Sequence, residues 1–257
     1  MENRKVSIGS VSYLNSKPLL YGFEQGMMKD DIDLQIGYPS AIARQLLEDT
    51  IDLGLVPVAI IPQLKEYHIV SDYCIGCDGE VATVCLFSDV PLEDIQTILL
   101  DYQSRTSVEL LKLLLKEHWK ISPVLLDTGI EYEKKIGGTT AGLVIGDRAF
   151  VQHTRSKYIY DLGTAWKDMT GLPFVFAAWV SNKKLPDLFV TAFNKTTGIG
   201  IDHVDEIAQK NMNCDYDLRK YYKLNISYIL DYEKRKALDI FLKTLITEGH
   251  LSSKIIE

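Results

Sequence analysis

Two hydrophobic periodicities alternate along this chain. Over residues 6–12 apolar and polar side chains alternate with period two, which predicts a half-buried strand. Asn15, Ser16, Lys17 and Pro18 follow, polar capping residues ahead of a proline that suits the first turn of a helix. The same succession predicts a strand at 34–38, a helix at 40–47 and a short buried strand at 52–56. Runs rich in β-branched and apolar residues predict further strands at 69–73 and 81–87. A second round begins near Pro91. Residues 98–100 read as a strand, and 106–119 as a helix with Val108, Leu111, Leu114 and Leu115 on one face. Residues 124–126 and 143–145 read as strands with a helix between them, and 158–162 and 174–180 as two more. Strands separated by helices predict parallel α/β sheets. After Leu185 the pattern is almost entirely helical, with starts at Pro186, Asp215 and Asp231, the last opening a stripe of Leu238, Phe241, Leu242 and Leu245.

This order, β/α, then β/α again, then helices, predicts two lobes with a ligand cleft between them. The chain is expected to cross near residue 88 and return near residue 174. Lobe one would then comprise 1–88 plus 175–257, and lobe two 89–174. The terminal helices would pack on lobe one.

Composition narrows the partners. The chain has 257 residues, 46% hydrophobic and 25% charged, ordinary values for a globular protein large enough to need no disulfide or metal staple. Its formal net charge of −7 argues against coating nucleic acid or an anionic membrane, although a local set of donors can still take a small anion. The N-terminus lacks the continuous apolar core of a signal peptide, and the longest apolar stretch, 53–61, is broken by Gly54 and Pro57. These features predict a cytoplasmic protein with reduced thiols.

The motifs of the common enzyme classes are missing. There is no phosphate-binding P-loop, no dinucleotide fingerprint, no nucleophile elbow and no zinc-hydrolase helix, so neither a cofactor nor a metal is expected. The five histidines show no ligand spacing. Cys74 and Cys77 form a C-x-x-C, but between two predicted strands rather than at a helix N-terminus, and without the further ligands a structural zinc needs. They read as small buried hydrophobes.

Three strand-to-helix turns carry candidate chemistry. In the first, Ser104, Arg105, Thr106 and Ser107 precede an amphipathic helix, and Thr106 with Glu109 has the spacing of a capping box. The unpaired N–H groups of a helix start, with the hydroxyls of Ser104 and Ser107 and the Arg105 guanidinium, would suit a carboxylate or phosphate. An ordinary cap with Arg105 in solvent fits the same residues. The second turn holds Asn15, able to donate and accept, at the C-terminal end of the first strand, where open α/β sheets bind ligands. The third is Gly146-Asp147, where the glycine allows close approach and the aspartate either faces a ligand or caps the next helix.

Together, VSYLNSKPL at 11–19, GEVATVCLFS at 79–88, SRTSV at 104–108, LVIGD at 143–147 and DLGTAW at 161–166 running into TGLPFVFA at 170–177 resemble the chorismate dehydratases of the futalosine route to menaquinone. The resemblance spans about residues 6–180 and implies an α/β, two-lobed periplasmic-binding-protein-like (type II) fold with a helical C-terminal segment packed on lobe one. It also implies a cytoplasmic carbon-oxygen lyase that needs no cofactor. Its substrate would be the dianion chorismate, which loses water to give 3-[(1-carboxyvinyl)oxy]benzoate. Two readings stand beside it: a cytosolic two-lobed binding protein for a small anion, and the sister dihydroxynaphthoate synthase of the same pathway. On the first reading Asn15 orients the reacting centre or the leaving hydroxyl. Ser104, Arg105, Thr106 and Ser107 hold one carboxylate, and the region of Thr83 holds the other, with Gly146 and Asp147 lining the site. Thr83 stands where the family commonly has serine, which keeps the hydroxyl and adds a methyl expected to face the cleft. Either Asp147 or the substrate's own enolpyruvyl carboxylate would serve as general base.

Overall fold

A computed structural model describes residues 4–211 and 216–247. Its strands are β1 (Val6–Val11), β2 (Ile32–Gly37), β3 (Leu53–Pro57), β4 (His68–Cys77), β5 (Val84–Ser88), β6 (Thr97–Leu100), β7 (Val124–Asp127), β8 (Thr140–Ile145), β9 (Tyr158–Asp161), β10 (Phe174–Ser181) and β11 (Ser227–Ile229). The helices are α1 (Lys17–Glu24), α2 (Pro39–Leu47), α3 (Thr106–Leu114), α4 (Asp147–His153), α5 (Leu162–Thr170), α6 (Asp187–Gly198), α7 (Val204–Lys210), the single turn α8 (Leu218–Lys220) and α9 (Tyr232–Thr247).

The strands form two sheets, ordered β11-β4-β10-β3-β1-β2 and β7-β6-β8-β5-β9. The first crossing therefore lies between Cys77 and Val84, not near residue 88, because β5 already pairs with β8 and β9 in the second sheet. A fully apolar strand such as β5 looks the same in either sheet, so its pattern cannot say which one it joins. The return falls between Asp161 and Phe174.

The sheets are mixed rather than parallel. Pairs β1–β2, β1–β3, β6–β7 and β6–β8 are parallel, whereas β10 runs antiparallel to β3 and β4, and β5 antiparallel to β8 and β9. Strands β5 and β10 arrive from the other lobe, and the edge strand β11 of the tail is also antiparallel to β4. Strands β1, β3 and β8 end at the cleft, with Val11, Pro57 and Ile145 on its wall, while β5 begins there at Val84. A strand entering from the cleft side must run against those that leave toward it.

Smaller departures have local causes. The helix expected between 126 and 143 is a single 3-10 turn, Tyr132–Lys135. The helix at 106–119 is α-helical to Leu114 and continues as a π turn to Trp119, closed by Lys120 in the left-handed conformation. Strand β4 extends through Cys77, so Cys74 and Cys77 lie within a strand and not between two. Asp215, expected to start a helix, lies outside the described residues; Asp217 caps the turn α8 by accepting from the Arg219 and Lys220 N–H groups. The tail also contributes a strand, β11, at the edge of the first sheet.

Two fully buried tryptophans anchor the core. Trp179 of β10 meets Phe23 and Phe193, which ties α1 and α6 to the first sheet. Trp166 of α5 meets Phe174 and Phe241, which seats α9 against β10.

Candidate functional site

The cleft between the sheets encloses about 590 Å³ of space, part of it open to solvent. Its walls are apolar: Val11, Leu55, Ile75 and Phe176 from the first lobe, and Val84 and Ile145 from the second. The polar lining consists of Tyr13, Asn15, Gln103, Ser104, Thr106 and Ser107. Among the described residues, no charged side chain lines it.

Asn15 sits in a 3-10 turn, Leu14–Ser16, that joins β1 to α1. It is not a helix cap. Ser16 secures the turn by donating to the Val11 and Tyr13 carbonyls at 2.6 and 2.8 Å, and Tyr228 donates to the Asn15 backbone carbonyl at 3.0 Å. The Asn15 side chain is thereby presented to the cleft. Its Oδ1 is buried without a hydrogen-bond partner.

The start of α3 differs from the expected capping box. Ser104 is the capping side chain, accepting from the Ser107 N–H at 3.1 Å. Thr106 is already helical, and its Oγ1 accepts from the Ala59 N–H at 3.2 Å, a bond between the two lobes. Glu109 pairs with Lys112 at 2.9 Å. A hydroxyl oxygen that accepts a backbone N–H keeps its own proton for another acceptor. Ser104 and Thr106 therefore both offer O–H donors to the cleft, at the positive end of the helix. Arg105 does not join them. It is exposed and faces a separate groove with Arg44 and Lys65, because successive helix-start residues point about 100° apart.

Gly146 lines the cleft at φ +64°, a conformation that calls for glycine, although a Cβ there would make only ordinary contact with the Tyr13 ring at 3.5 Å. Asp147 does not line the cleft, nor does its side chain cap α4. Its Oδ1 accepts from the Leu14 N–H at 3.2 Å and so braces the Asn15 turn from the opposite lobe. Burial pushes its carboxyl up, against the pull of that N–H and of Lys17. Thr83 is fully buried behind the cleft, and its Oγ1 lies 2.7 Å from the Tyr221 hydroxyl. Its methyl therefore does not face the ligand space, contrary to expectation.

Several residues at the site escaped the sequence reading. Tyr13 donates across the cleft to Gln103 Oε1. Arg148 donates to the same oxygen at 3.1 Å and to Asp101 at 2.6 Å, with its other nitrogen on Glu133 at 2.6 Å. Its guanidinium lies over the rings of Tyr102 and Tyr132. Asp101 has no exposed side-chain surface and also accepts from the Tyr132 hydroxyl. Burial raises its carboxyl above the usual aspartate range, with Arg148 as the main opposing influence. Burial and the nearby Asp101 push the Tyr13 phenol up, so it remains a donor. Asp161 binds the Val81 and Ala82 N–H groups and clamps the first crossing, where Ala82 has φ +64°. Asp101 had a legible signal, an acid directly after a buried strand, as Asp147 has. Tyr221 had none, since tyrosines in an amphipathic tail read as core.

Cys74 and Cys77 are fully buried, and burial pushes the Cys74 thiol up to about 12. No group of three or more His, Cys, Asp or Glu placed to hold a metal occurs among the described residues. No described helix is long and apolar enough to cross a membrane.

Two mixed sheets facing one another over a cleft define the periplasmic-binding-protein-like fold, and solved structures agree. A protein of Archaeoglobus fulgidus superposes with a TM-score of 0.76 at 14% identity, covering 98% of this chain and 100% of that one. The alkanesulfonate-binding protein of Xanthomonas axonopodis pv. citri, solved with MOPS, gives a TM-score of 0.62 at 14% identity, covering 99% and 96%. The chain belongs to the menaquinone biosynthesis family, whose model matches residues 6–246. The chorismate dehydratase of Thermus thermophilus is 28% identical to it, over 80% of this chain and 84% of that one.

Proposed function

We propose that this protein is a cytoplasmic chorismate dehydratase, a hydro-lyase that eliminates water from chorismate to give 3-[(1-carboxyvinyl)oxy]benzoate. One observation carries the reading: two preset hydroxyl donors, Ser104 and Thr106, stand at the positive end of α3 and share an apolar-walled cleft with the unpartnered carbonyl of Asn15. Membership of the menaquinone biosynthesis family and the likeness to the Thermus dehydratase support it.

The hydroxyls and N–H groups at the start of α3 would receive the ring carboxylate. The proton removed from the ring is vinylogous to that carboxylate, so negative charge grows there as the C–H bond breaks. Donors aimed at that point stabilise the transition state more than the ground state. Arg105 and Thr83, which the resemblance implied as further ligands, stand outside this arrangement. Tyr13, on the opposite wall, is placed to donate to the second carboxylate in exchange for Gln103. Asn15 Oδ1 would accept from the ring hydroxyl and hold it over the reacting carbons.

Asp147 is engaged with Leu14 away from the cleft, which favours the substrate's enolpyruvyl carboxylate as the base. That group takes the ring proton, the adjacent hydroxyl departs, and proton and hydroxide leave together as water. Aromatisation drives the step. The test is incubation of the purified protein with chorismate, without added metal, flavin or nucleotide, followed by chromatography for the aromatic product. Product formation is expected. Chorismate recovered unchanged but tightly bound would instead mark a binding protein.

A further inference from the structure

A hinge between two lobes needs a few residues that are free to change their backbone angles. In the first crossing, residues 78–83, each residue is held instead. The Asp78 carboxylate pairs with Lys167 at 2.6 Å. Gly79 lies backbone to backbone against Gly163: a Cβ on Gly163 would fall 2.6 Å from Cys77 Sγ and nearer still to the Gly79 carbonyl. Glu80 accepts twice from the Asn225 amide, at its carboxylate (2.9 Å) and at its backbone carbonyl (3.3 Å). The Val81 and Ala82 N–H groups donate to Asp161 at 3.1 and 2.7 Å. His153 donates to the Ala82 carbonyl at 2.7 Å, and Ala82 is thereby kept at φ +64°, a value uncommon for alanine. The Thr83 carbonyl accepts from the Gly146 N–H at 2.8 Å. Lys167, Gly163 and Asp161 all belong to the second crossing, so the two connections between the lobes are fastened to each other at three successive points.

We propose that the two crossings form a single clasp, with Asp161 as its positioning residue, which fixes the angle between the lobes and keeps the cleft assembled before any ligand arrives. Asp161 stands where the second crossing begins and accepts from both chains: from Val81 and Ala82 on the first, and from the Thr164 N–H, at 2.9 Å, on the second. Hydrogen bonds to a carboxylate are about twice as strong as those between neutral groups. Val81 and Val84 line the cleft, so the clasp also sets part of its wall. Across the cleft the lobes meet through Thr106 and Ala59, Asp147 and Leu14, and Tyr13 and Gln103. Such short bonds persist only between lobes held at a fixed separation. The clasp is independent of the dehydratase reading; its effect on turnover rests on that reading.

Two measurements test it. The first needs no substrate. Spin labels on Leu188→Cys of α6 and Val151→Cys of α4, exposed positions on opposite lobes, report the distance between the lobes in a Cys214→Ser background, where Cys74, Cys77 and Cys85 are buried. One narrow distance distribution is expected for the otherwise unaltered protein without ligand; a broad or two-peaked one would overturn the clasp. Asp161→Asn keeps a good cap for α5 but sets an amide N–H against the N–H groups of the first crossing, and is expected to broaden the distribution. Gly163→Ala should do the same by wedging the crossings apart. A lowered Tm with an unchanged distribution in both variants would reduce these residues to a role in the fold alone and overturn the proposal. The second measurement is kinetic. Where loosened lobes spend about a tenth of their time in the competent arrangement, the KM for chorismate rises about tenfold, with a smaller change in kcat. A fall in kcat at constant KM would contradict an effect on lobe angle. A broadened distribution in a protein that leaves chorismate untouched would keep the clasp and discard the reaction.

Discussion

Replacing Arg148 with methionine separates a buried ion pair from its surroundings without emptying the space. Asp101 has no exposed side-chain surface, and Arg148 is its only salt-bridge partner among the described residues, at 2.6 Å. The Tyr132 hydroxyl and the Gln103 N–H would remain, so the carboxylate would keep two donors but lose its counter-charge. Removing one member of a buried pair typically costs about 3–5 kcal/mol, because the other charge is left uncompensated. At roughly 3 °C per kcal/mol for a chain of this size, the expected fall in Tm is about 10 °C. The pH dependence separates this cause from lost packing. Burial already raises the Asp101 carboxyl, and without Arg148 it rises further. The folded state then binds a proton that the unfolded state releases, so stability falls as pH increases. The gap between wild type and variant should open above the wild type's own raised Asp101 value and be complete above the still higher value in the variant. Urea unfolding of wild type and Arg148→Met at pH 5 and pH 8 provides the assay, with the larger gap expected at pH 8. Adding Asp101→Asn to Arg148→Met should remove most of the pH dependence. A gap that is the same at both pH values, or smaller than about 1 kcal/mol, would refute the reasoning.

Asn15→Ser should leave the fold intact, since Asn15 is not a cap, yet lower kcat by about 100-fold or more, as loss of a directed polar group in a dry site does; wild-type turnover in the folded variant would remove Asn15 from the mechanism. Ser104→Ala should cost about 1 kcal/mol of stability through the lost helix cap and also raise the KM for chorismate. Thr106→Val leaves the buried Ala59 N–H without its acceptor and should destabilise by about 1–3 kcal/mol, measured by thermal unfolding. Cys74, Cys77 and Cys85 should resist alkylation in the native Cys214→Ser protein at pH 8, and mass spectrometry should find them modified only after unfolding; rapid native labelling would contradict their burial.

How far the sequence reached depended on whether the signal was local. Strand β1, the helix at Thr106 and the apolar stripe of α9 were legible because each carries its own periodicity. The side chains of Asn15, Ser104 and Ser107 were legible as strand-end and helix-start residues. The assignment of β5 to the second sheet was not, because an all-apolar strand carries no mark of its neighbours. Arg105 read as a ligand because charge and position both fitted, but the direction of its side chain depends on where α3 begins, which is Thr106, one residue earlier than the Thr106–Glu109 capping box implies. Thr83 read as facing the cleft because its partner, Tyr221, is 138 residues further along. Arg148 was hidden for a related reason: its significance comes from Asp101 and Gln103, which a different strand-end turn brings to it.

The C-terminal segment has a consequence for how the protein must be made. Every motif that carries the family resemblance is translated by residue 180, and both sheets could by then hold most of their strands. The turn that presents Asn15 would still lack Tyr228, whose hydroxyl reaches the Asn15 carbonyl from the far end of the chain. A ribosome that has released all the quoted motifs has therefore not yet produced a competent site. Closing a loop of some two hundred residues comes late in folding. Chains cut short after β10 should accumulate as shapes that bind poorly and turn over nothing, and Tyr228, emerging near the end, acts as a completeness check on the first turn.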